Sequence, residues 1–413
     1  MLLSIAVLPL AAPGFWARNR NKVFLSIGLS IPALFILLRH SQMVLFAHSM
    51  MEYLSFIILL GALFLISGGI HISGSRAGTP LVNTAYLAVG AVLSNLIGTT
   101  GASMLLIRPF LRANQRRQKK AHLIIFFIFI VCNIGGLLTP LGDPPLFLGF
   151  LRGVPFFWTL KLFPEWAFAI GVLLIVFNLI DQKIFEKEDV QTPGSLIEDV
   201  QPRRKLHIDG KRNFLCLAGV MTAAPLCAHF GCPYGIRESI MLLMAAVSYF
   251  GTPKAVHKSN RFSFDPIIEV AALFLGIFIT MIPALEIISY RASSWKLEHA
   301  WQFFWMTGAL SGFLDNAPTY LTFSALACGM FGGNAQDLSL LLRSAVGEKM
   351  LYAISCGAVF MGANTYIGNG PNLMVKSIAE HSGIKMPSFG GYLVYSVSIL
   401  IPLFLLYSFV FFR

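Results

Sequence analysis

The stretch Gly136-Leu137-Leu138-Thr139-Pro140-Leu141-Gly142-Asp143-Pro144-Pro145 interrupts a long apolar segment and places a carboxylate inside the interruption. Proline lacks a backbone N–H and clashes with the preceding turn, and glycine weakens a helix, so this run cannot continue a regular helix. Its flanks are strongly apolar, from Leu123 to Cys132 and from Leu146 to Leu151. The sequence therefore predicts a helix that is broken inside an apolar environment.

The same interruption occurs a second time in the chain. The run from Gly362 to Pro371 follows the first at a constant offset and shares the pattern G-x-x-T-x-(Leu/Ile)-G-(Asp/Asn)-x-P. Asn369 takes the place of Asp143 in this second copy. The pattern indicates an internal repeat.

The composition places the chain in a membrane. Of its 413 residues 56% are hydrophobic and 12% are charged, and its mean hydropathy is +0.71. Apolar stretches of about 17 to 25 residues recur, which is enough to cross a hydrocarbon core of about 30 Å as helix. The stretches lack the alternation of barrel strands. We therefore predict an all-α polytopic membrane protein, located in the inner membrane and surrounded by lipid.

The charge and the cysteines argue against other partners and against bound cofactors. The net charge is +12, but the basic residues cluster between apolar runs, where they ordinarily set orientation in the membrane rather than bind nucleic acid. The six cysteines show no C-x-x-C spacing, so neither a zinc site nor a disulfide framework is predicted. No cofactor is expected beyond transported or coupling ions.

The basic loops predict two inverted repeats. The first repeat would cover residues 1–180, with a short spanning helix from Met1 to Phe15, a re-entrant hairpin at about 80–111 and the broken helix at about 122–151. Residues 181–212 form a polar stretch that we interpret as a cytoplasmic linker. The second repeat would cover 213–413, with its hairpin at about 300–326 and its broken helix at about 349–379. Most basic residues then fall on the cytoplasmic side, as the positive-inside rule requires.

The hairpin tips and the helix breaks are the predicted binding site. Non-helical backbone at membrane depth is tolerated only where protein or a water-filled cavity satisfies its polar groups. Both tips, residues 93–103 and 310–319, concentrate hydroxyl, amide and glycine residues that suit a small ion. The candidate ion- or substrate-binding residues are Ser94, Asn95, Gly98, Thr99, Thr139, Gly142, Asp143, Asp315, Asn316, Thr319, Asn364, Thr365, Gly368, Asn369 and Asn372.

Five of these residues are candidate Na⁺ ligands: Asn95, Asp143, Asp315, Asn316 and Asn369. An aspartate at the centre of a membrane helix costs about 2.5 to 3.5 kcal/mol and so needs a compensating partner. Simpler roles remain open at this point. Hydroxyl side chains often bond their own helix, and Asp143 could cap the half-helix that begins at Pro144.

These motifs resemble the ion transporter superfamily, which includes citrate and dicarboxylate transporters, NhaD-type sodium/proton antiporters and arsenite carriers. The run from Asn133 to Pro145 is similar to the glycine-rich break of that superfamily, and the run from Leu314 to Thr319 is similar to the second hairpin tip of its antiporter-like branch. The resemblance covers nearly the whole chain and is closest to a bacterial group of citrate transporters and antiporters. It implies a scaffold domain that dimerises and a transport domain that holds both hairpins.

The tips depart from the pattern of the carboxylate-transporting members, in which Ser-Asn-Thr tips bind sodium and substrate. Here Ser94-Asn95 is followed by Leu96, and Asp315-Asn316 stands where neutral groups are expected. A fixed negative charge would repel citrate, so we interpret the chain as a sodium/proton antiporter. The alternative is sodium-coupled transport of citrate or a dicarboxylate.

Two other classes fit less well. An intramembrane aspartyl protease requires G-x-G-D, but Pro140 stands two residues before Gly142, so an enzyme is not predicted. A passive channel would lack uphill coupling between two ions.

Overall fold

The computed structural model describes residues 1–16, 18–75, 78–191, 204–260, 262–292 and 297–412. Part of the predicted linker lies outside these ranges. So do several basic residues used to predict the topology: Arg76, Arg203, Arg261, Lys296 and Arg413.

The described chain is almost entirely helical. Its helices in chain order are α1 (Leu2–Ala11), α2 (Pro13–Trp16), α3 (Asn19–Arg39), α4 (Met43–Gly68), α5 (Pro80–Ala113), α6 (Ala121–Ile130), α7 (Pro144–Leu151), α8 (Phe163–Gln191), α9 (Asn213–His229), α10 (Ile236–Gly251), α11 (Lys254–Ser259), α12 (Asp265–Tyr290), α13 (Ala300–Ser311), α14 (Asn316–Met330), α15 (Ala345–Met361), α16 (Gly370–His381) and α17 (Phe389–Phe411).

Several helical segments are long and apolar enough to cross a membrane. By length and composition the described residues contain seven: Asn19–Arg39, Met43–Gly68, Pro80–Ala113, Ala121–Leu138, Phe156–Glu188, Asp265–Tyr290 and Phe389–Phe411. The prediction of a helical polytopic membrane protein is thereby confirmed.

The predicted first spanning helix is wrong. The segment from Met1 to Phe15 is divided between two helices. Helix α1 ends at Ala11, with Ala12 as its C-cap, and α2 begins at Pro13. The ten residues of α1 extend about 15 Å, half of what a hydrocarbon core requires.

Helix α5 folds back on itself. A straight helix of its 34 residues would separate its ends by about 50 Å, yet the N–H of Gly78 donates to the carbonyl of Ala113 at 2.9 Å. The reversal occurs at Gly98, whose φ of 76° and ψ of 155° are non-helical. A positive φ costs glycine little because it has no Cβ. The predicted arms at about 80–111 are therefore two antiparallel halves of one segment.

The two predicted broken helices have matching shapes. The first runs through α6, a 3₁₀ turn at Ile134–Leu138 and α7, and the second runs through α15, a 3₁₀ turn at Gly362–Asn364 and α16. Thr139 and Thr365 are extended at equivalent points, with φ of −140° and −137°. Each following half-helix begins with proline in its first turn, where the missing N–H costs nothing.

The all-helical prediction needs one addition. Two short strands, β1 (His71–Ser75) and β2 (Arg204–Asp209), pair antiparallel, with His71 opposite Asp209. Residues 204–209 belong to the predicted linker, so part of that polar stretch is held against the end of α4. The division into repeats and linker stays a prediction.

The start of the predicted linker also needs correction, because α8 continues to Gln191. Two acidic residues in this part of α8, Asp181 and Glu188, are buried partners rather than solvated ones. Arg117 donates to Asp181 at 2.6 Å and to Glu188 at 2.8 Å, and His122 lies 2.9 Å from Asp181. All four side chains are buried. We call this group the Arg117 cluster; it joins the base of the α5 hairpin and the start of α6 to α8.

Candidate functional site

The carboxylate of Asp143 joins the two hairpin tips to the two helix breaks. Thr99 Oγ1 donates to Asp143 Oδ1 at 2.9 Å, and Asn369 Nδ2 donates to the same oxygen at 3.1 Å. Asn316 Nδ2 donates to Asp143 Oδ2. All four residues are buried. We call Asp143, Thr99, Asn316 and Asn369 the Asp143 hub.

Local backbone structure places each member of the hub. Asp143 is the N-cap of α7 and Asn369 is the N-cap of α16, both with extended backbone. Thr99 directly follows the reversal at Gly98, and its N–H donates to the carbonyl of Gly142 at 2.8 Å. Asn316 is the first residue of α14. Each side chain thus sits at a point where the backbone leaves or enters a helix.

The two halves of the chain build the surroundings of the hub with equivalent hydrogen bonds. Ser94 Oγ donates to the carbonyl of Val131 at 2.7 Å, and Ser311 Oγ donates to that of Ala358 at 2.6 Å. Each serine bonds its hairpin to the first half of the following broken helix.

A second pair of hydrogen bonds repeats in the same way. Thr139 Oγ1 donates to the carbonyl of Asn95, and Thr365 Oγ1 donates to that of Gly312. Counted from the two serines, Thr99 and Asn316 occupy the same position of their hairpins. Equivalent residues of the two tips therefore donate to opposite oxygens of one carboxylate.

The carboxyl groups of the hub and of Asp315 lack a salt bridge in the part of the chain that the structure describes. Among the described residues, neither Asp143 nor Asp315 forms an ion pair with Lys, Arg or His. Asp315 lies within electrostatic range of Asp143. Burying an unpaired charge at low dielectric costs free energy, so binding of a cation or a proton would stabilise two carboxylates that lie near each other.

Oxygen atoms without hydrogen-bond partners lie beside the hub. Asn316 Oδ1 and Asn364 Oδ1 are buried and have no partner in the described part of the chain. Asp315 is half-buried and caps α14 through a long bond of 3.4 Å from the N–H of Ala317. Gly312 of the same hairpin packs against the Cβ of Asn364. Carboxylate and amide oxygens are ligands that hard cations prefer.

A small cavity adjoins the hub on its other side. Its volume is about 20 Å³, and it lies between α4 and the first hairpin tip, with Leu63, Phe64, Thr99, Thr100 and Gly142 in its lining. This volume is sufficient for one water molecule. Helix α4 therefore forms one wall of this cavity.

Helix α4 also holds the far end of α7. Arg152, which follows α7, donates to Glu52 of α4 through Nε at 3.0 Å and Nη2 at 2.8 Å. Both side chains are buried. The eight-residue helix α7 is thus fixed to the hub at one end and to α4 at the other.

Other predicted site residues use their side chains to hold the breaks together. Asn95 accepts from the N–H of Leu138 at 2.7 Å and donates to its own helix at Ala91. Asn372 Nδ2 donates to the carbonyls of Gly362 and Thr365, both at 2.9 Å. Thr319 Oγ1 bonds the carbonyl of Asp315. These groups have their partners within the protein, and their part in ion binding stays a prediction.

Asn133 is a residue of the site that the sequence reasoning did not select. Its Nδ2 donates to Asn372 Oδ1 at 2.8 Å, and its Oδ1 lies 3.3 Å from Asn369 Nδ2. It therefore connects the two breaks directly. An amide at the end of the apolar run before Gly136 was the available signal.

The glycines of the two breaks allow the backbone to close on itself. A Cβ on Gly142 would overlap the carbonyl oxygen of Gly136, and one on Gly368 would meet that of Gly362. Close backbone approach, rather than an unusual φ, therefore explains why glycine recurs at these positions of the repeat.

Replacing Gly142 by Ala is expected to destabilise the protein by about 1–3 kcal/mol, the usual cost of overpacking. The added methyl group meets backbone, which cannot rotate away as a side chain can. Thermal unfolding in detergent measures the effect. Gly370→Ala is the matched control, because no heavy atom lies within 4 Å of a Cβ placed there. Equal stability of the two variants would contradict the steric explanation.

Comparison with known proteins gives one family match and no curated relative. The model of the family described as "Putative citrate transport" matches residues 1–412. No curated protein matches the chain.

Proposed function

Since the chain belongs to the family described as "Putative citrate transport", we propose that it is a secondary active transporter that exchanges Na⁺ for protons by alternating access. The observation that carries this proposal is the Asp143 hub. One buried carboxylate joins both hairpin tips and both helix breaks, with a second carboxylate nearby and no cationic side chain paired to either among the described residues.

The architecture that we propose has two halves of opposite orientation, each with a hairpin that enters the membrane and turns back. The closed base of α5, fixed by the hydrogen bond from Gly78 to Ala113, supports a hairpin whose ends lie on one face of the membrane. The equivalent hydrogen bonds of Ser94 and Ser311 support a repeat. The inner membrane and a homodimer belong to the same proposal, on the basis of the family resemblance.

The proposed ligands of the ion are oxygens that keep free hydrogen-bonding capacity among the described residues. Asp315 would supply a carboxylate oxygen, and Asn316 and Asn364 would supply amide oxygens. The Nδ2 group of Asn316 donates to Asp143. The free Oδ1 of the same side chain therefore points away from the hub carboxylate. The remaining positions of a Na⁺ shell would be filled by backbone carbonyls or water.

Competition for one negative charge would couple the two ions. A carboxylate at low dielectric is neutralised by a proton or by a bound cation, and either one lowers the cost of leaving it buried. When Na⁺ binds, the proton on the same group is released, and the reverse exchange occurs on the opposite face of the membrane. Because both cations compete for the same carboxylate, one binding site is sufficient to exchange one for the other.

Purified protein in liposomes tests the proposed exchange. We expect that an outward Na⁺ gradient acidifies the lumen, because protons enter as Na⁺ leaves, and a trapped pH dye follows this change. Replacing Na⁺ by choline at equal ionic strength is the control and should give no signal. A pH change of equal size with choline would contradict the proposal, and dissipation of an imposed gradient without uphill movement would indicate a channel.

Sodium-coupled citrate or dicarboxylate transport is the second candidate, because the family description names citrate. In that case the Ser94-Asn95 and Asn364-Thr365 groups would contact the carboxylates of the substrate. Uptake of labelled citrate into the same liposomes, with and without Na⁺, separates the two functions. Na⁺-dependent accumulation of citrate would favour this candidate over antiport.

A further inference from the structure

Glu165 is a buried carboxylate that the proposed exchange at the Asp143 hub does not use. It lies in the first turn of α8 and is 8% exposed. Its own backbone N–H donates to the carboxylate, but Oε2 is buried and has no partner among the described residues. An acid in the first turn of a helix is ordinary. A carboxylate oxygen that is both buried and unpaired is not, because an unsatisfied charged group is costly to bury.

Titratable side chains of α15 and α17 lie around this carboxylate. Glu165 lies within electrostatic range of Tyr352 and Cys356 of α15 and of Tyr407 of α17. Phe168, one turn along the same face of α8, contacts the ring of Tyr407 at 6.4 Å between centroids. The group thus faces a contact region between helices rather than the surface.

A chain of hydrogen-bonded polar side chains runs from Tyr352 to the edge of the protein. Tyr352 donates to Glu348 at 3.4 Å, and Glu348 also accepts from Lys161 at 2.8 Å and Trp158 at 2.9 Å. The side chains of Lys161 and Glu348 are 58% and 26% exposed. Glu348 is therefore in contact with solvent at the point where this chain begins.

The start of α8 and the 3₁₀ turn before it, Phe156–Leu162, contact the first helix break. Trp166, the residue after Glu165, donates from Nε1 to the carbonyl of Gly135 at 3.0 Å. Thr159 donates to the carbonyl of Leu138 at 2.9 Å. Glu165 therefore lies in the segment 158–166, which contacts both the partly exposed Glu348 and the backbone of the first helix break.

We propose that Glu165 is a proton-binding site, separate from the Asp143 hub, that takes up a proton from the Glu348 edge and returns it there or passes it toward the first helix break. The proton forms an O–H bond on the unpaired Oε2, which removes the buried charge and leaves a donor in its place. The existence of this site is independent of the transported ion, whereas its part in transport rests on the proposed function.

Infrared difference spectra of the purified protein test the proton site directly. We expect a carboxylic acid C=O stretching band that changes between acidic and alkaline buffer and is missing in Glu165→Gln. The control is Glu380→Gln, which removes an exposed acid that is paired with Lys376 and should keep the band. An unchanged band in Glu165→Gln would overturn the proposal.

A second measurement on the unmodified chain covers the case in which Glu165→Gln does not fold. A hydrophobic carbodiimide adds to a protonated carboxyl group in an apolar site and leaves a stable N-acylurea, which mass spectrometry locates by its added mass. We expect labelling of Glu165 that falls as the pH rises. If the peptide with Glu165 is unlabelled at every pH while other buried acids react, the group is not a proton site.

The transport assay separates this proposal from the proposed function. If Na⁺/proton exchange is absent from the unmodified protein but the infrared band and the labelling are found, the proposed function fails and the proton site stands. If exchange is present and Glu165→Gln lowers it at least tenfold while Na⁺/Na⁺ exchange continues, the site belongs to the proton pathway. Equal loss of both exchanges would refute a role that is specific to protons.

Discussion

Na⁺-driven proton movement should disappear when Asp315 is replaced by Asn, with a loss of at least a hundredfold against the unmodified protein. Asp315 is a half-buried carboxylate that accepts a long bond of 3.4 Å from the N–H of Ala317, so it has free capacity for a cation. The amide keeps the shape and the cap of α14 but removes the charge for which Na⁺ and the proton would compete. Exchange then has no group that can alternate between the two.

The measurement is Na⁺-induced dequenching of a pH dye in everted membrane vesicles. Asp265→Asn is the matched control, because Asp265 is an exposed acid in the first turn of α12 and should keep full activity. Equal expression and equal elution volume of both variants in detergent exclude a folding defect. Full activity of Asp315→Asn would remove Asp315 from the ion site.

The second large effect concerns stability. Replacing Arg117 by Met is expected to cost about 3–5 kcal/mol, because it leaves Asp181 and Glu188 buried without their guanidinium partner. Asp181 is 0% and Glu188 2% exposed, so solvent cannot replace the lost bonds. The hairpin base would also lose the bond from Arg117 to the carbonyl of Gly78.

Thermal unfolding in detergent, followed by loss of monodisperse protein, gives the comparison. Arg116→Met is the control, since Arg116 is the exposed neighbour in the same loop. Adding Asp181→Asn and Glu188→Gln to the Arg117 variant should restore part of the loss by removing the uncompensated charges. Equal midpoints for the Arg116 and Arg117 variants would show that the cluster contributes little.

The helix breaks and the first hairpin could be predicted because their causes are local. Glycine and proline act on the backbone within a few residues, so runs such as Gly136–Pro145 reveal an interruption without knowledge of the fold. The close approach of Gly142 to Gly136 is likewise a contact within one loop. For the same reason the repeat of the pattern at Gly362 predicted a second break of the same shape.

The division of roles among the polar residues could not be predicted, since it depends on contacts distant in sequence. In the sequence Asp143 and Asp315 are both aspartates within apolar segments, yet three side-chain donors bond Asp143 while Asp315 accepts a long backbone bond. The sequence likewise does not show that Thr99 and Asn316 are equivalent, because the two tips differ in composition. In the sequence, the acidic residues after residue 180 are typical of a solvated linker. In the structure, two of them, Asp181 and Glu188, accept hydrogen bonds from the distant Arg117.

The Asp143 hub also bears on how such a chain can assemble. Its carboxylate and one donor, Thr99, come from the first half of the sequence, while Asn316 and Asn369 come from the second. The first half on its own would bury Asp143 without two of its three donors. The second half on its own would bury the amide groups of Asn316 and Asn369 without their acceptor. Neither half alone supplies the full set of hydrogen bonds to Asp143, so the hub can form only after both halves of the chain are present and packed together.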